Sequence, residues 1–186
     1  DDPARFGYKT AEYDSFADIP PFQWETTRGL GGSFAYNSSE TAADMLSSNE
    51  LIDYLIDTVS KNGNVLINVG PDSFGQIPII QQAPLLGLGD WMAVNSDAIY
   101  ATRPWTRFHN ERGRELRYTR NDTALYAIVM GDVDASFTIE EPGTSYSSIE
   151  VLGAKVISTN STDGILTIDI DKPMAAPAVE ARFDPH

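Results

Sequence analysis

The stretch from Ser47 to Val69 constrains this chain more than any other, because it spells a helix and then an apolar strand with almost nothing between them. Ser47-x-x-Glu50 is a capping-box pattern, in which two residues satisfy each other's orphan groups at a helix start. Leu51, Ile52, Leu55, Ile56 and Val59 follow at helical spacing, Lys61 suits the last turn, and Asn62-Gly63 supplies a stop. Asn64-Val65-Leu66-Ile67-Asn68-Val69 is then a nearly continuous apolar run, the pattern of a strand buried on both faces of a parallel sheet. A second helix is expected over 80–94, although Pro84 lies in its early turns and Gly87 and Gly89 weaken it. Helix, buried strand, loop, helix is the grammar of a parallel barrel or a doubly wound sheet.

Upstream, Tyr8-Lys9-Thr10-Ala11-Glu12-Tyr13 reads as a short strand and Phe22-Gln23-Trp24-Glu25-Thr26-Thr27 as another, with the loop Asp18-Ile19-Pro20-Pro21 between. Trp24 to Asn37 then holds three glycines within four residues, Gly29, Gly31 and Gly32, flanked by aromatics. Such a segment turns tightly, whether as a plain surface loop or beside a ligand. Ala98-Ile99-Tyr100 is read as one more short strand. About three strands before residue 104 are fewer than a closed barrel or doubly wound sheet requires, so further strands are expected from outside the chain.

After Trp105 the texture changes. Residues 109–120 are polar and charge-rich. Short β-type runs follow at 124–130, 136–139, 148–152, 155–158 and 165–170, separated by turns such as Glu141-Pro142-Gly143 and Asp163-Gly164. Short strands at even spacing with glycine turns predict an antiparallel sandwich. The expected boundary falls near 103–106, giving units 1–104 and 105–186 and a fold class of α/β followed by all-β.

Composition narrows the chemistry. The 27 acidic against 13 basic residues give a formal charge of −14, which argues against nucleic acid or an anionic membrane surface as partner. No apolar run reaches spanning length. Cysteine is absent, which excludes a thiolate nucleophile or thiolate metal site, and His109 and His186 are the only histidines. No metal or cofactor is expected, and any catalysis falls to carboxylates. Eight Tyr, eight Phe and three Trp offer flat faces for a hydroxyl-rich ligand. Asn37-Ser38-Ser39, Asn121-Asp122-Thr123 and Asn160-Ser161-Thr162 are N-glycosylation sequons and suggest a secreted glycoprotein, although no signal peptide is visible.

Glu12 stands at the end of its strand, where barrel enzymes place catalytic groups, unless it is an exposed edge carboxylate. Glu25 is either a second site carboxylate or a structural partner of Arg28. Phe34 and Tyr36 are either core aromatics or the wall of a pocket. Asn68 interrupts an apolar strand and must find partners. Gly70-Pro71-Asp72 lacks the lysine and spacing of a phosphate cradle. Carboxylates, aromatics and glycan sites together suit glycoside hydrolysis, which needs two carboxyl groups and little else.

Several segments in order are similar to the α-L-fucosidases of glycoside hydrolase family 29. They are Lys9-Thr10-Ala11-Glu12-Tyr13, Trp24-Glu25-Thr26-Thr27-Arg28-Gly29, Ser33-Phe34-Ala35-Tyr36-Asn37, Val59 to Pro71, Gly75-Gln76-Ile77-Pro78 and Ala98 to Trp105. The resemblance implies the second half of a (β/α)8-like barrel followed by an antiparallel β-sandwich, and release of terminal α-L-fucose with retention of configuration. It implies Glu12 as general acid/base, with Glu25 second choice, Phe34 lining the fucose pocket, and Trp24 and Glu25 supporting it. The family's nucleophilic Asp and sugar-binding histidines precede the Lys-Thr-Ala-Glu-Tyr segment and have no match here. The expected partners are therefore an N-terminal half of the same enzyme, as a separate associated chain, and a fucosylated glycan. The alternative is a non-catalytic carbohydrate-binding or scaffold fragment whose working part is the sandwich. A secreted or lysosomal-type compartment fits the sequons. Asn121 and Asn160 are better placed for glycans than Asn37, which sits close to Phe34.

Overall fold

The computed structural model describes residues 9–141, 143 and 145–182, so Tyr8, Pro142 and His186 lie outside the described residues. The chain divides into two compact units, 1–91 and 92–186. The described residues are mostly β, with two α-helices.

In the first unit, β1 (Lys9–Glu12), β2 (Trp24–Gly29) and β3 (Gly63–Asn68) form a parallel sheet in the order β1-β2-β3. The 13–23 segment crosses from β1 to β2 without a helix. Helix α1 (Ser48–Ser60) begins as its sequence dictates: Ser47 Oγ accepts the Glu50 N–H at 3.3 Å, and Glu50 returns a carboxylate to the Ser47 N–H at 2.8 Å. That exchange is worth about 1 kcal/mol. The helix ends in the left-handed Asn62, φ 69°. Gly63 is then required by packing, because a Cβ there would lie 2.5 Å from the Trp24 ring.

Helix α2 (Ile79–Asn95) keeps Pro84 inside it. Gly87, a weak helix former by propensity, faces Ser48 so closely that a Cβ would overlap its hydroxyl. Leu30, Met45 and Leu51 make a buried cluster, with Ile67, Ile80, Leu85 and Leu88 packed against it. Trp24 and Thr26 are buried, and Thr26 Oγ1 lies 2.5 Å from the Tyr54 hydroxyl of α1. The opposite face of the sheet is open. Leu66 is 51% exposed and Asn64 is exposed, so β3 is covered on one face only, against the expectation of burial on both. An apolar run specifies what a strand can bury; the elements supplied decide what it does bury.

In the second unit the strand series begins at Arg103, while the compact unit begins at Met92. The end of α2 and the 3-10 turn Ser96–Ala98 hydrogen-bond into its sheet: Asn95 Oδ1 accepts the Ala178 N–H at 3.2 Å, and Thr119 Oγ1 donates to Ala98 O at 2.6 Å. Residues 98–100, expected as a strand, belong to this turn and its exit. The larger antiparallel sheet has the order β4 (Arg103–His109), β5 (Leu116–Arg120), β6 (Ala124–Val129), β13 (Ala178–Arg182), β9 (Ser148–Val151). The smaller is β10 (Val156–Thr162), β11 (Ile165–Ile170), β8 (Ser136–Glu140). β7 (Asp132–Val133) and β12 (Met174–Ala175) form a short pair. Leu116, Tyr118, Leu125, Val129, Val151 and Val179 of the large sheet share one core with Phe137, Ile139, Leu166, Ile168 and Ile170 of the smaller. This is the sandwich that the alternating runs predict.

β5 lies in the segment that reads as merely polar. Leu116 and Tyr118 point into the core while Arg117 stacks over Phe108, so a charged text hides a period of two. β13 is central despite its Glu180, because that buried carboxylate bonds the Tyr126 hydroxyl and Arg182, each at 3.2 Å.

Candidate functional site

Parallel strands bring their C-terminal ends to one edge, and here Glu12, Gly29 and Asn68 close β1, β2 and β3. Glu12 pairs in register with Thr27 and Gly29 with Asn68. Because side chains alternate along a strand, Glu25 and Thr27 share a face, and Trp24 and Thr26 share the other. Glu12 is exposed and Glu25 half-buried. Both thus belong to the open side of the sheet, Glu25 one repeat, about 7 Å, further from the strand ends.

Trp24 takes a different place. Its side chain is 0% exposed and packs edge-on to Phe16 at 4.9 Å. Its Nε1–H donates to Lys61 O at 2.8 Å, which avoids the roughly 1–3 kcal/mol cost of a buried unpaired donor. Trp24 is a core residue that fixes β2 against the end of α1, and any support it lends to a site passes through that strand. Among the described residues no ion pair joins Glu25 to Arg28. The Arg28 guanidinium instead lies 5.3 Å from the Tyr13 ring and 5.2 Å from that of Tyr54, and its Nε donates to Gly29 O at 3.1 Å.

The glycine-rich loop after β2 is shaped by close approach. A Cβ on Gly29 would meet Ser33 O at 2.5 Å, and one on Gly70 would meet Tyr36 N at 2.6 Å. Three side chains hold the loop, and a fourth holds the turn after β3 that packs against it. The Tyr13 hydroxyl accepts the Gly29 N–H at 3.0 Å and donates to Gly31 O at 3.3 Å. Glu40 accepts both the Gly32 N–H and the Ser33 hydroxyl at 3.0 Å. Asn68 Nδ2 donates to Phe34 O at 2.5 Å, and Gln81 Oε1 accepts the Gly70 N–H at 2.9 Å. Asn68 thereby finds the partner that a polar interruption of an apolar run requires.

Phe34 is 36% exposed, and its ring lies 5.3 Å from that of Tyr13 at a 59° tilt. Tyr13 directly follows Glu12 in the chain, so the accessible carboxylate and the aromatic pair both belong to the exit of β1. Tyr36 is exposed on the same loop. Asn37 follows, its Oδ1 accepting the Ser39 N–H at 3.0 Å. Among the described residues no three acidic or histidine side chains gather closely enough to hold a metal ion.

Reading by residue type misses Tyr13, Glu40 and Gln81. Tyr13 adopts φ 52°, a backbone state its identity does not advertise, and Glu40 and Gln81 act only through the fold. Asn68 carried a signal, its position inside an apolar run.

Known proteins resemble this chain in sequence and fold. A family model described as Alpha-L-fucosidase matches residues 2–97. Tissue alpha-L-fucosidase of Homo sapiens is 33% identical over 183 residues, covering 95% of this chain and 39% of that protein. Alpha-L-fucosidase of Branchiostoma floridae is 40% identical over 109 residues, 58% of this chain and 24% of that one. The solved structure of Thermotoga maritima alpha-fucosidase in complex with fucose matches with a TM-score of 0.75 at 35% identity, over 94% of this chain and 42% of that chain. The chain therefore spans 39% of the length of the human relative. Among the described residues no helix is long and apolar enough to cross a membrane.

Proposed function

The chain belongs to the α-L-fucosidase family, and from that premise we propose that it supplies the proton-transferring carboxylate and part of the sugar pocket for hydrolysis of terminal α-L-fucosides. One observation carries the reading: Glu12 is accessible at the C-terminal edge of a parallel sheet, and the next residue in the chain, Tyr13, pairs with Phe34. Aromatic faces orient the apolar C–H groups of a sugar, and a carboxyl group at the strand end reaches its glycosidic oxygen.

In this reading the chemistry is retaining. An aspartate carboxylate attacks the anomeric carbon as Glu12 gives its proton to the departing oxygen. Glu12 then takes a proton from water, which displaces the aspartate and frees fucose. The aspartate and the strands that cover the open face come from a further N-terminal segment, held as an associated chain. The half-exposed Leu66 supports that assignment, since an apolar strand residue of a closed barrel is covered. Residues 1–104 serve as the later part of the barrel and 105–186 as the sandwich.

The test is a Glu12→Ala substitution in the assembled protein. Activity on an unactivated fucoside should fall by about 10²–10⁴-fold. An aryl fucoside with a good leaving group should lose much less, and azide should rescue the second step. Normal activity in Glu12→Ala alongside a dead Glu25→Ala would move the role to Glu25. Intact-mass analysis that finds no polypeptide segment carrying the aspartate would overturn the enzymatic reading and leave a scaffold.

A further inference from the structure

The sandwich manages its sheet edges unevenly. An edge strand presents unpaired N–H and C=O groups, and proteins blunt it with charge, proline or shortness. β4 carries Arg103, Pro104 and Arg107. β9 has four residues and includes Glu150. β8 ends on Glu140, which Arg107 and Arg112 hold at 3.4 and 3.5 Å. β10 differs: Val156-Ile157-Ser158-Thr159-Asn160-Ser161-Thr162 is seven residues long with neither charge nor proline. Its only strand partner among the described residues is β11, and Ile157 is 65% exposed. A bulge interrupts the start of β10, but Ser158 to Thr162 then pair without a break. By composition and length this is the edge most open to pairing with another chain.

A sequon lies in the middle of it. Asn160 is exposed, and its register partner Thr167 sits on the outward side of β11, whose inward residues are Leu166 and Ile168. Among the described residues Asn160 Nδ2 makes one hydrogen bond, a long 3.4 Å approach to the sequon's own Thr162 hydroxyl. The amide of Asn121 is by contrast consumed by its hairpin. Its Oδ1 accepts the Thr123 N–H at 2.9 Å, the Thr123 hydroxyl at 3.0 Å and the Ala124 N–H at 2.9 Å, and its Nδ2 donates to the Tyr126 hydroxyl at 3.3 Å. Sugar on Asn121 Nδ2 has to be fitted around the buried Tyr126 hydroxyl, itself bound to Glu180, whereas sugar on Asn160 Nδ2 meets only the exposed Thr162 hydroxyl.

We propose that Asn160 carries an N-linked glycan whose role is to cover the uncharged edge β10 against pairing with other chains. Transfer joins Asn160 Nδ2 to the anomeric carbon of an oligosaccharide held on a lipid pyrophosphate. The carbon–oxygen bond to the pyrophosphate breaks, the lipid pyrophosphate leaves with the electron pair, and one amide proton passes to the medium. The bulky, hydrated product stands beside the open N–H and C=O row and excludes a second strand. This inference is independent of the hydrolytic role assigned to Glu12.

The experiment secretes the polypeptide that carries this chain from a eukaryotic host and releases glycans enzymatically in heavy-oxygen water. Peptide mass spectrometry should find heavy aspartate at position 160 in most molecules and asparagine retained at 121. Unmodified Asn160 in the secreted protein, or occupancy at Asn121 instead, overturns the site. Asn160→Gln and Thr162→Ala remove the glycan through different residues. Both should aggregate several-fold faster by light scattering with the melting temperature unchanged, and adding Ile157→Lys should restore the slow rate. Wild-type protein trimmed to its first sugar should also aggregate faster, without any mutation. Equal aggregation rates with and without the glycan overturn the guarding role.

Discussion

The two units solve the same problem, what to do with the faces of a sheet, in opposite ways. In the sandwich every residue of β6 is buried, and the large and small sheets share one apolar core. In the parallel unit only the Trp24 side of the sheet is covered, while Glu12, Asn64 and Leu66 are exposed. A sheet closed on both faces serves stability, because each covered CH₂ contributes about 0.8 kcal/mol. A sheet open on one face can present carboxylates and a shaped loop, but it leaves apolar surface for another element to cover. The chemistry proposed for Glu12 and the aggregation guard proposed for Asn160 fall on opposite sides of that division.

Truncation of one apolar side chain in each unit tests the contrast most strongly. Ile168→Ala, in the closed core, should cost about 2–5 kcal/mol and lower the melting temperature by several degrees. Leu66→Ala in this chain alone should change stability by less than about 1 kcal/mol. In the assembled protein the Leu66 cost should rise towards that of Ile168, and an unchanged small effect would mean that the open face stays open. Chemical denaturation of both forms reads the difference.

A smaller effect is expected where the parallel unit is tightly built. Gly63→Ala places a methyl group against the Trp24 ring and should cost about 1–3 kcal/mol, visible as a red shift in tryptophan emission on mild denaturation. Thermal neutrality of that variant would show that β2 and α1 can separate without loss.

The smallest and most gradual effect is on pH dependence. Burial alone would raise the Glu140 carboxyl, but the Glu111 N–H at 3.0 Å, Arg107 and Arg112 hold it below the ordinary value of 4.5. A depressed folded value favours the charged form, so its stabilisation is present above that ordinary value and is lost as pH falls through the folded one. Glu140→Gln should flatten the acid limb of the stability curve below about pH 4.5. An unchanged limb would assign acid sensitivity to other carboxylates.

Much of the architecture is legible in particular residues. Ser47 and Glu50 cap α1 because capping needs only four consecutive residues, and Asp163-Gly164, with φ of 53° and 76°, turns β10 into β11 for the same local reason. The motif segments from Lys9 to Trp105 were enough to suggest the family. β5 was less legible, because Arg117 lies against Phe108 on the outer side and disguises the inward Leu116 and Tyr118.

By itself, then, the sequence determined the elements whose instructions are local: the capped helix, the apolar run, the alternating strands, and the candidates Glu12 and Phe34. Tertiary structure decided what each element meets. It buried Trp24 at 0% exposure, left Leu66 half-exposed, and turned Tyr13, Glu40 and Asn68 into the clamp of the Phe34 loop. It separated the engaged amide of Asn121 from the open one of Asn160, although both sit in the same motif. The physical reason is that propensity and capping act within a few residues, whereas burial and hydrogen-bond satisfaction depend on groups dozens of residues away.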